Sequence, residues 1–233
     1  MKGIRNVLFD LDGTLTDPAA GIVRCIQYSL ETLGLRCPDA VELESYIGPP
    51  LRRTFGTLCQ TSDVAYIERA VSLYRERFST VGLFENAVYA GVPQMLADLR
   101  AASYRLFVAT SKPKVYAERI LRHFSLEGYF VEVCGSELDG RFEDKAELLL
   151  NLLERHGLAP RQTVMVGDRK EDVLAARRNA LPSLGITYGY GSEEELLGAG
   201  ADHLCRNPPE VVSQIIRMGT PGVRRPFLEK LYD

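Results

Sequence analysis

The 233-residue chain is long enough for one sizeable core and a smaller accessory unit. Its 45% hydrophobic and 25% charged residues exclude a disordered or fibrous chain, and a net charge of -3 excludes general electrostatic attraction to nucleic acid or to an anionic membrane. No apolar run approaches the roughly 20 residues of a membrane span. Met1 to Arg5 leads straight into a strand, so no signal peptide is expected and a cytoplasmic location is the default. Five cysteines (Cys25, Cys37, Cys59, Cys134, Cys205) are odd in number and never spaced as C-x-x-C, which argues against a disulfide framework or structural zinc and for small buried hydrophobes. His123, His156 and His203 are scattered through apolar patterns and read as structural or surface residues.

In chain order, Val7-Leu8-Phe9 reads as a buried strand that exits into Asp10-Leu11-Asp12-Gly13-Thr14. Asp17 before Pro18 reads as an N-cap, followed by Ile22, Ile26, Leu30 and Leu33 at helical spacing and Gly34 as a stop. A weakly periodic piece runs over 39–47, Gly48-Pro49-Pro50 interrupts it, and 51–58 suits a short helix. A longer helix starts at Thr61, Ser62 or Asp63, with Val64, Ile67, Val71, Tyr74 and Phe78 on one face. Residues 17–81 thus read as an all-helical insertion after the first strand, and 83–91 as the return linker. Helices and strands then alternate: a helix over 92–102, a strand at 105–109 exiting into Thr110-Ser111-Lys112-Pro113, a helix over 115–124 and a strand near 130–133. A helix over 144–156, a strand at 163–166 exiting into Gly167-Asp168, and a helix over 171–178 follow. A strand at 182–186, a helix at 193–197, a strand at 203–204 and a helix over 208–217 complete the pattern. Such alternation predicts a parallel sheet with crossover helices. Residues 219–233 show no periodicity and read as a loose tail or a docking arm.

Three strand exits therefore carry Asp10 and Asp12, Thr110 and Ser111, and Asp168, and in a parallel sheet these exits share one rim. Asp172, one helical turn after Asp168, can face the same place. At an effective dielectric of about 20, two carboxylates about 4 Å apart repel by roughly 4 kcal/mol, so a cation is required among them. Oxygen-only ligands point to Mg²⁺. Aspartates that cap helices or lie in solvated turns would explain any one of these alone.

Asp10-Leu11-Asp12-Gly13-Thr14, Thr110, Lys145 and Gly167-Asp168 with Asp172 resemble the four ordered motifs of the haloacid dehalogenase superfamily. The helical insertion resembles that of its type C1 cap subgroup, which includes phosphoglycolate phosphatases, 5'-nucleotidases and β-phosphoglucomutases. The resemblance implies a Rossmann-like, doubly wound α/β core over residues 1–16 and 82–218, an all-α cap over 17–81 and a tail over 219–233. It implies Asp10 as nucleophile, Asp12 as general acid and base, and Lys145 as the neutraliser of transition-state charge. Gly13, Thr14, Thr110 and Ser111 would hold the phosphate, and Mg²⁺ would sit on Asp10, the Asp12 carbonyl and Asp168, with Asp172 in a direct or outer-shell role. Lys145 is preferred to Lys112 and Lys114 as the third motif's lysine, which belongs at a helix start between Thr110 and Asp168.

Dehalogenases of the family lack the second aspartate, so Asp12 favours phosphoryl transfer. The absence of lysine between Asp17 and Gly82 removes a phosphonate-cleaving enzyme, which needs a cap lysine. Arg52 and Arg53, after the stiff Gly48-Pro49-Pro50 turn, are candidates to meet the substrate, or else ordinary solvated charges. The turn, the Ala109-Thr110-Ser111-Lys112-Pro113 run and Tyr188-Gly189-Tyr190-Gly191 look most similar to the 5'-nucleotidase branch. The expectation is a Mg²⁺-dependent phosphatase of a small phosphorylated metabolite, a nucleoside 5'-monophosphate ahead of 2-phosphoglycolate. A sugar phosphomutase and a non-catalytic phosphate-binding module are the other readings. No nucleic-acid or membrane partner is expected, and the chain should be a monomer or homodimer.

Overall fold

The computed structural model describes residues 3–219. The first strand, β1 (Asn6–Phe9), is followed by a two-residue strand β2 (Thr16–Asp17) and four helices: α1 (Ala19–Thr32), α2 (Ala40–Glu44), α3 (Leu51–Leu58) and α4 (Val64–Arg77). A single π-helical turn, Phe78–Gly82, and the short strand β3 (Ala87–Val88) bring the chain back. Then come α5 (Val92–Ala101), β4 (Arg105–Pro113), α6 (Lys114–His123), β5 (Glu132–Ser136) and α7 (Lys145–His156). The last elements are β6 (Thr163–Gly167), α8 (Lys170–Arg178), β7 (Ser183–Ile186), α9 (Glu193–Ala199), β8 (His203–Cys205) and α10 (Pro208–Gly219). The tail expected over 219–233 lies outside the described residues apart from Gly219.

Strands buried on both faces read as unbroken apolar runs, as β1, β4 and β6 do at 7–9, 106–109 and 164–166. They form the centre of a six-stranded, wholly parallel sheet in the order β5-β4-β1-β6-β7-β8. Side chains alternate between its faces. Val7, Phe9, Leu106, Val108, Val164 and Val166 meet α5, α6 and α10 on one side. Leu8, Phe107, Ala109 and Met165 meet α7 and α8 on the other. From β1 the chain passes to β4 and β5 on one flank and returns to β6, β7 and β8 on the other, so the strand order reverses beside β1. The crevice at such a reversal is where open α/β sheets bind ligands.

The helices between β2 and β3 pack on one another through Ile22, Ile26, Leu30, Leu43, Phe55, Val71 and Tyr74, and their core is continuous with that of the sheet. Fully burying a side chain such as Phe55 contributes about 1.5–3 kcal/mol, which lets these short helices hold together. Strands β2 and β3 pair antiparallel, Thr16 with Val88 and Asp17 with Ala87, so the outgoing and returning connections are tied together. Neither strand is visible as a pattern in the sequence. Several edges differ from expectation. Helix α1 starts after Pro18, yet the Asp17 carboxylate still accepts a hydrogen bond from the Ala19 N–H. Val64, expected on the packed face of α4, is exposed at its first turn, and Asp63 caps that helix through the Ala65 and Tyr66 N–H groups. Strand β5 begins at Glu132 rather than near Phe130, because its register is set by pairing with β4 alone. All five cysteines are free; Cys25, Cys134 and Cys205 are buried, whereas Cys37 and Cys59 are only half-buried.

Candidate active site

Asp10 directly follows β1, and its backbone N–H still pairs with the Val166 carbonyl of β6, which fixes the residue at the sheet rim. The chain then folds back on itself: the N–H groups of Thr14, Leu15 and Thr16 point to the Leu11 carbonyl, and Gly13 takes φ +80°. A Cβ at Gly13 would overlap the Asp168 carboxylate, so glycine is required twice over, by conformation and by space. Asp168 follows β6. Asp172 stands in the first turn of α8, where its Oδ2 accepts from the Arg169 N–H. Lys145 is the first residue of α7, whose Asp144 cap accepts from the Ala146 and Glu147 N–H groups.

These elements place the Asp10, Asp168 and Asp172 carboxylates within 4.8 Å of one another. Lys145 Nζ lies 2.9 Å from Asp10 Oδ2 and also bonds Asp172 Oδ1. Lys112 Nζ lies 2.6 Å from Asp12 Oδ2. Four aspartates thus face two lysines, and two negative charges are left over when all are ionised. Burial pushes the Asp12 carboxyl above its ordinary range despite Lys112. Burial and then the neighbouring Asp172 raise Asp168 well above its own range. Asp172 is pushed up to about 7 by burial, against the pull of Lys145. Burial opposes the charge on Lys145, but Asp10 and Asp172 outweigh it and hold the ammonium above its usual range. An all-oxygen, buried, under-neutralised set of this kind fits a hard divalent cation such as Mg²⁺.

Asp10, Asp12, Thr110 and Ser111 also line a cavity of about 100 Å³ between the sheet rim and the helices. Its roof is aromatic: Tyr46 from the turn after α2, Tyr74 from α4 and Phe78 from the π-helical turn, with Tyr116 from α6. Thr110 Oγ1 accepts the Lys112 N–H at 3.2 Å, which leaves its own proton to donate elsewhere.

Four residues expected at the phosphate or substrate stand differently. The Thr14 hydroxyl is buried and donates to Asp168 Oδ1 at 3.2 Å, so it braces that carboxylate, and neither Thr14 nor Gly13 lines the cavity. Arg53 is exposed on α3, away from the cavity. Arg52 does line it, but its guanidinium is engaged by Glu68 and Glu143. Two cavity residues carry roles that the sequence did not single out. Lys112 holds Asp12, so the site uses it as well as Lys145. Arg75 of α4 lines the cavity with an Nε that has no hydrogen-bond partner among the described residues. Its only signal in the sequence is its place beside Tyr74 on α4.

The model of the family described as haloacid dehalogenase-like hydrolase matches residues 7–186. The chain is 48% identical to a 5'-nucleotidase of Pseudomonas aeruginosa over 86% of its own length and 90% of that protein's. It is 27% identical to a phosphoglycolate phosphatase of Photobacterium profundum, over 86% of this chain and 91% of that one. The crystal structure of a predicted phosphatase from Clostridium acetobutylicum superposes with a TM-score of 0.88 at 40% identity, covering 91% of this chain and 98% of the other. With every motif from Asp10 to Asp172 inside the matched span, the chain belongs to the haloacid dehalogenase-like hydrolases, among the phosphatases of that family.

Proposed function

We propose that the protein is a Mg²⁺-dependent 5'-nucleotidase that works through an aspartyl-phosphate on Asp10. The observation that carries the chemistry is the pairing of Asp10 and Asp12 at the floor of one cavity. Asp10 is held by Lys145, while Asp12 is held by Lys112 through one oxygen only and presents a buried Oδ1 with no partner among the described residues. The nucleophile is a carboxylate oxygen of Asp10, beside which the Lys145 ammonium stands ready to meet phosphoryl charge. An acid–base group needs one oxygen not committed to a partner, and Asp12 Oδ1 has none among the described residues.

In the first half-reaction an Asp10 oxygen bonds to phosphorus and the ester P–O bond breaks. Its electron pair goes to the leaving oxygen, which takes a proton from Asp12. In the second, water bonds to phosphorus, returns a proton to Asp12, and the Asp10–phosphorus bond breaks to give back the carboxylate and free phosphate. Thr110 donates to a phosphoryl oxygen, and Lys145 stabilises the charge spread over the transferring group. Asp10, Asp168 and Asp172 would hold Mg²⁺, with the Asp12 backbone carbonyl as the further ligand that the family resemblance implies. When bound, the metal neutralises phosphoryl charge and aligns it with Asp10.

The nucleoside monophosphate is supported by the 48% identical relative and by the aromatic roof, on which a base can stack. The cavity volume favours a second reading, 2-phosphoglycolate. About 100 Å³ is well below the roughly 300–1,000 Å³ of pockets for larger ligands, so a nucleoside requires the helices to lift. Phosphate release from a panel of nucleotides, 2-phosphoglycolate and hexose phosphates with Mg²⁺ separates the two. Turnover of nucleotides at least about tenfold better in kcat/KM supports the first reading, and the reverse ratio supports the second. A cytoplasmic monomer or homodimer acting without nucleic acid or membrane goes with either reading. Light scattering on the purified chain checks the oligomeric state.

A further inference from the structure

Lys112 leaves the sheet in an irregular stretch of β4. Pairing with β5 is regular up to Thr110–Gly135 and resumes at Pro113–Ser136, so Ser111 and Lys112 have no partners in register. A bulge of this kind bends its strand and re-aims side chains. Two features build it in. A Cβ at Gly135 would overlap the Lys112 carbonyl, and Ser136 Oγ donates to the Ser111 carbonyl at 2.8 Å. The Lys112 side chain that results is 6% exposed, and among the described residues its ammonium touches two groups. One is Asp12 Oδ2 at 2.6 Å; the other is the Phe78 ring, whose centroid is 4.6 Å away. Phe78 opens the π-helical turn after α4, stacks on Tyr74 and meets Tyr116 edge-on, so its ring is fixed.

We propose that Lys112 is a positioning residue for Asp12, which it holds by one oxygen against the Phe78 ring, so that placement of the helical insertion over the sheet sets the aim of the free Asp12 oxygen. The proposal rests on the reading of Asp10 as nucleophile and Asp12 as acid and base. Asp12 Oδ1 is free because Lys112 takes Oδ2, and the ammonium is steered because a cation is attracted to the face of an aromatic ring. Displacement of a reacting group by about 1 Å costs around 100-fold in rate, so a residue that only aims Asp12 can matter as much as one that touches substrate.

The test uses the Mg²⁺-loaded full chain and p-nitrophenyl phosphate. Nitrophenolate leaves with the electron pair of the P–O bond and needs no proton, so phosphorylation of Asp10 does not call on Asp12. Hydrolysis does, because the attacking water must lose a proton to it. In Lys112→Met we expect a burst of nitrophenolate near one equivalent of enzyme, followed by a steady rate lower than wild type by about 10–100-fold, with KM falling alongside kcat. Phe78→Leu, which keeps the ammonium, should show the same pattern at smaller size, and Lys112→Arg should recover part of the steady rate. Phe78→Leu carries the test should Lys112→Met fail to fold. Burst and steady rate falling together in Lys112→Met, or a steady rate in folded Phe78→Leu equal to wild type, would overturn the proposal. Turnover that persists in Asp10→Asn overturns the underlying reading instead, and is seen without any Lys112 variant.

Discussion

Asp168 is an enclosed carboxylate held by two uncharged donors, the Thr14 hydroxyl and the Tyr190 N–H at 2.9 Å, and it faces two further aspartates. Neutral donors do not offset that repulsion, and a divalent cation does. Mg²⁺ is therefore expected to stabilise the fold. At a free concentration 100 times its Kd the gain is about 2.7 kcal/mol, and for a chain of this size roughly 5–10 °C in Tm. Asp168→Asn keeps most of the hydrogen bonding and loses the charge, so its Tm should not move with Mg²⁺. A full Mg²⁺ shift in that variant, measured by calorimetry, would show that the ion binds elsewhere. Which aspartates to suspect was legible in the sequence, because carboxylates at the ends of apolar runs are out of place unless they are used. What surrounds them was not. The Thr14 hydroxyl reads as a phosphate ligand and instead braces Asp168, a contact made across 154 positions of chain.

Helix α4 brings Val71, Tyr74 and Arg75 to the cavity roof and leads into Phe78, and its start is fixed by the exposed Asp63 cap. Asp63→Ala should cost about 1 kcal/mol, or roughly 2–4 °C in Tm, while kcat/KM at 25 °C stays within about twofold of wild type. A large loss of activity without loss of stability would mean that Asp63 aims the helix at the cavity rather than only capping it. Helices of this kind were legible because caps and 3.6-residue periodicity are local. The two-residue strands β2 and β3 were not, since pairs such as Thr16 with Val88 owe their conformation to a partner far along the chain. The bulge at Ser111 and Lys112 is likewise invisible without β5, so the sequence alone offers Lys112 and Lys145 as alternatives.

At the scale of the molecule, strand order decides everything that the motifs can do. Alternating strands and helices announce a parallel sheet, but they do not say that β4 and β6 both flank β1, the arrangement that sets Thr110 and Asp168 on either side of Asp10. The outer flank of the sheet is fastened electrostatically, with Glu132 of β5 bound to Arg155 and His156 of α7. Burial opposes the charge on Glu132, but those two partners outweigh it and draw its carboxyl down to about 2 from 4.5. A depressed carboxyl adds stability above its unfolded value, and that stability is lost as pH falls through the folded one. Urea unfolding of Glu132→Gln should thus show a deficit against wild type at pH 7 that narrows below about pH 4.5 and closes toward pH 2. A deficit that does not change with pH would assign the loss to packing. The whole arrangement converges on one bond, between an Asp10 oxygen and the substrate phosphorus. Acid quenching during turnover, reduction of the acyl phosphate with borohydride and peptide mass spectrometry test it directly. We predict homoserine at position 10, formed only when substrate and Mg²⁺ are both present. Turnover with no reduced residue, or with the label on another aspartate, would contradict the account.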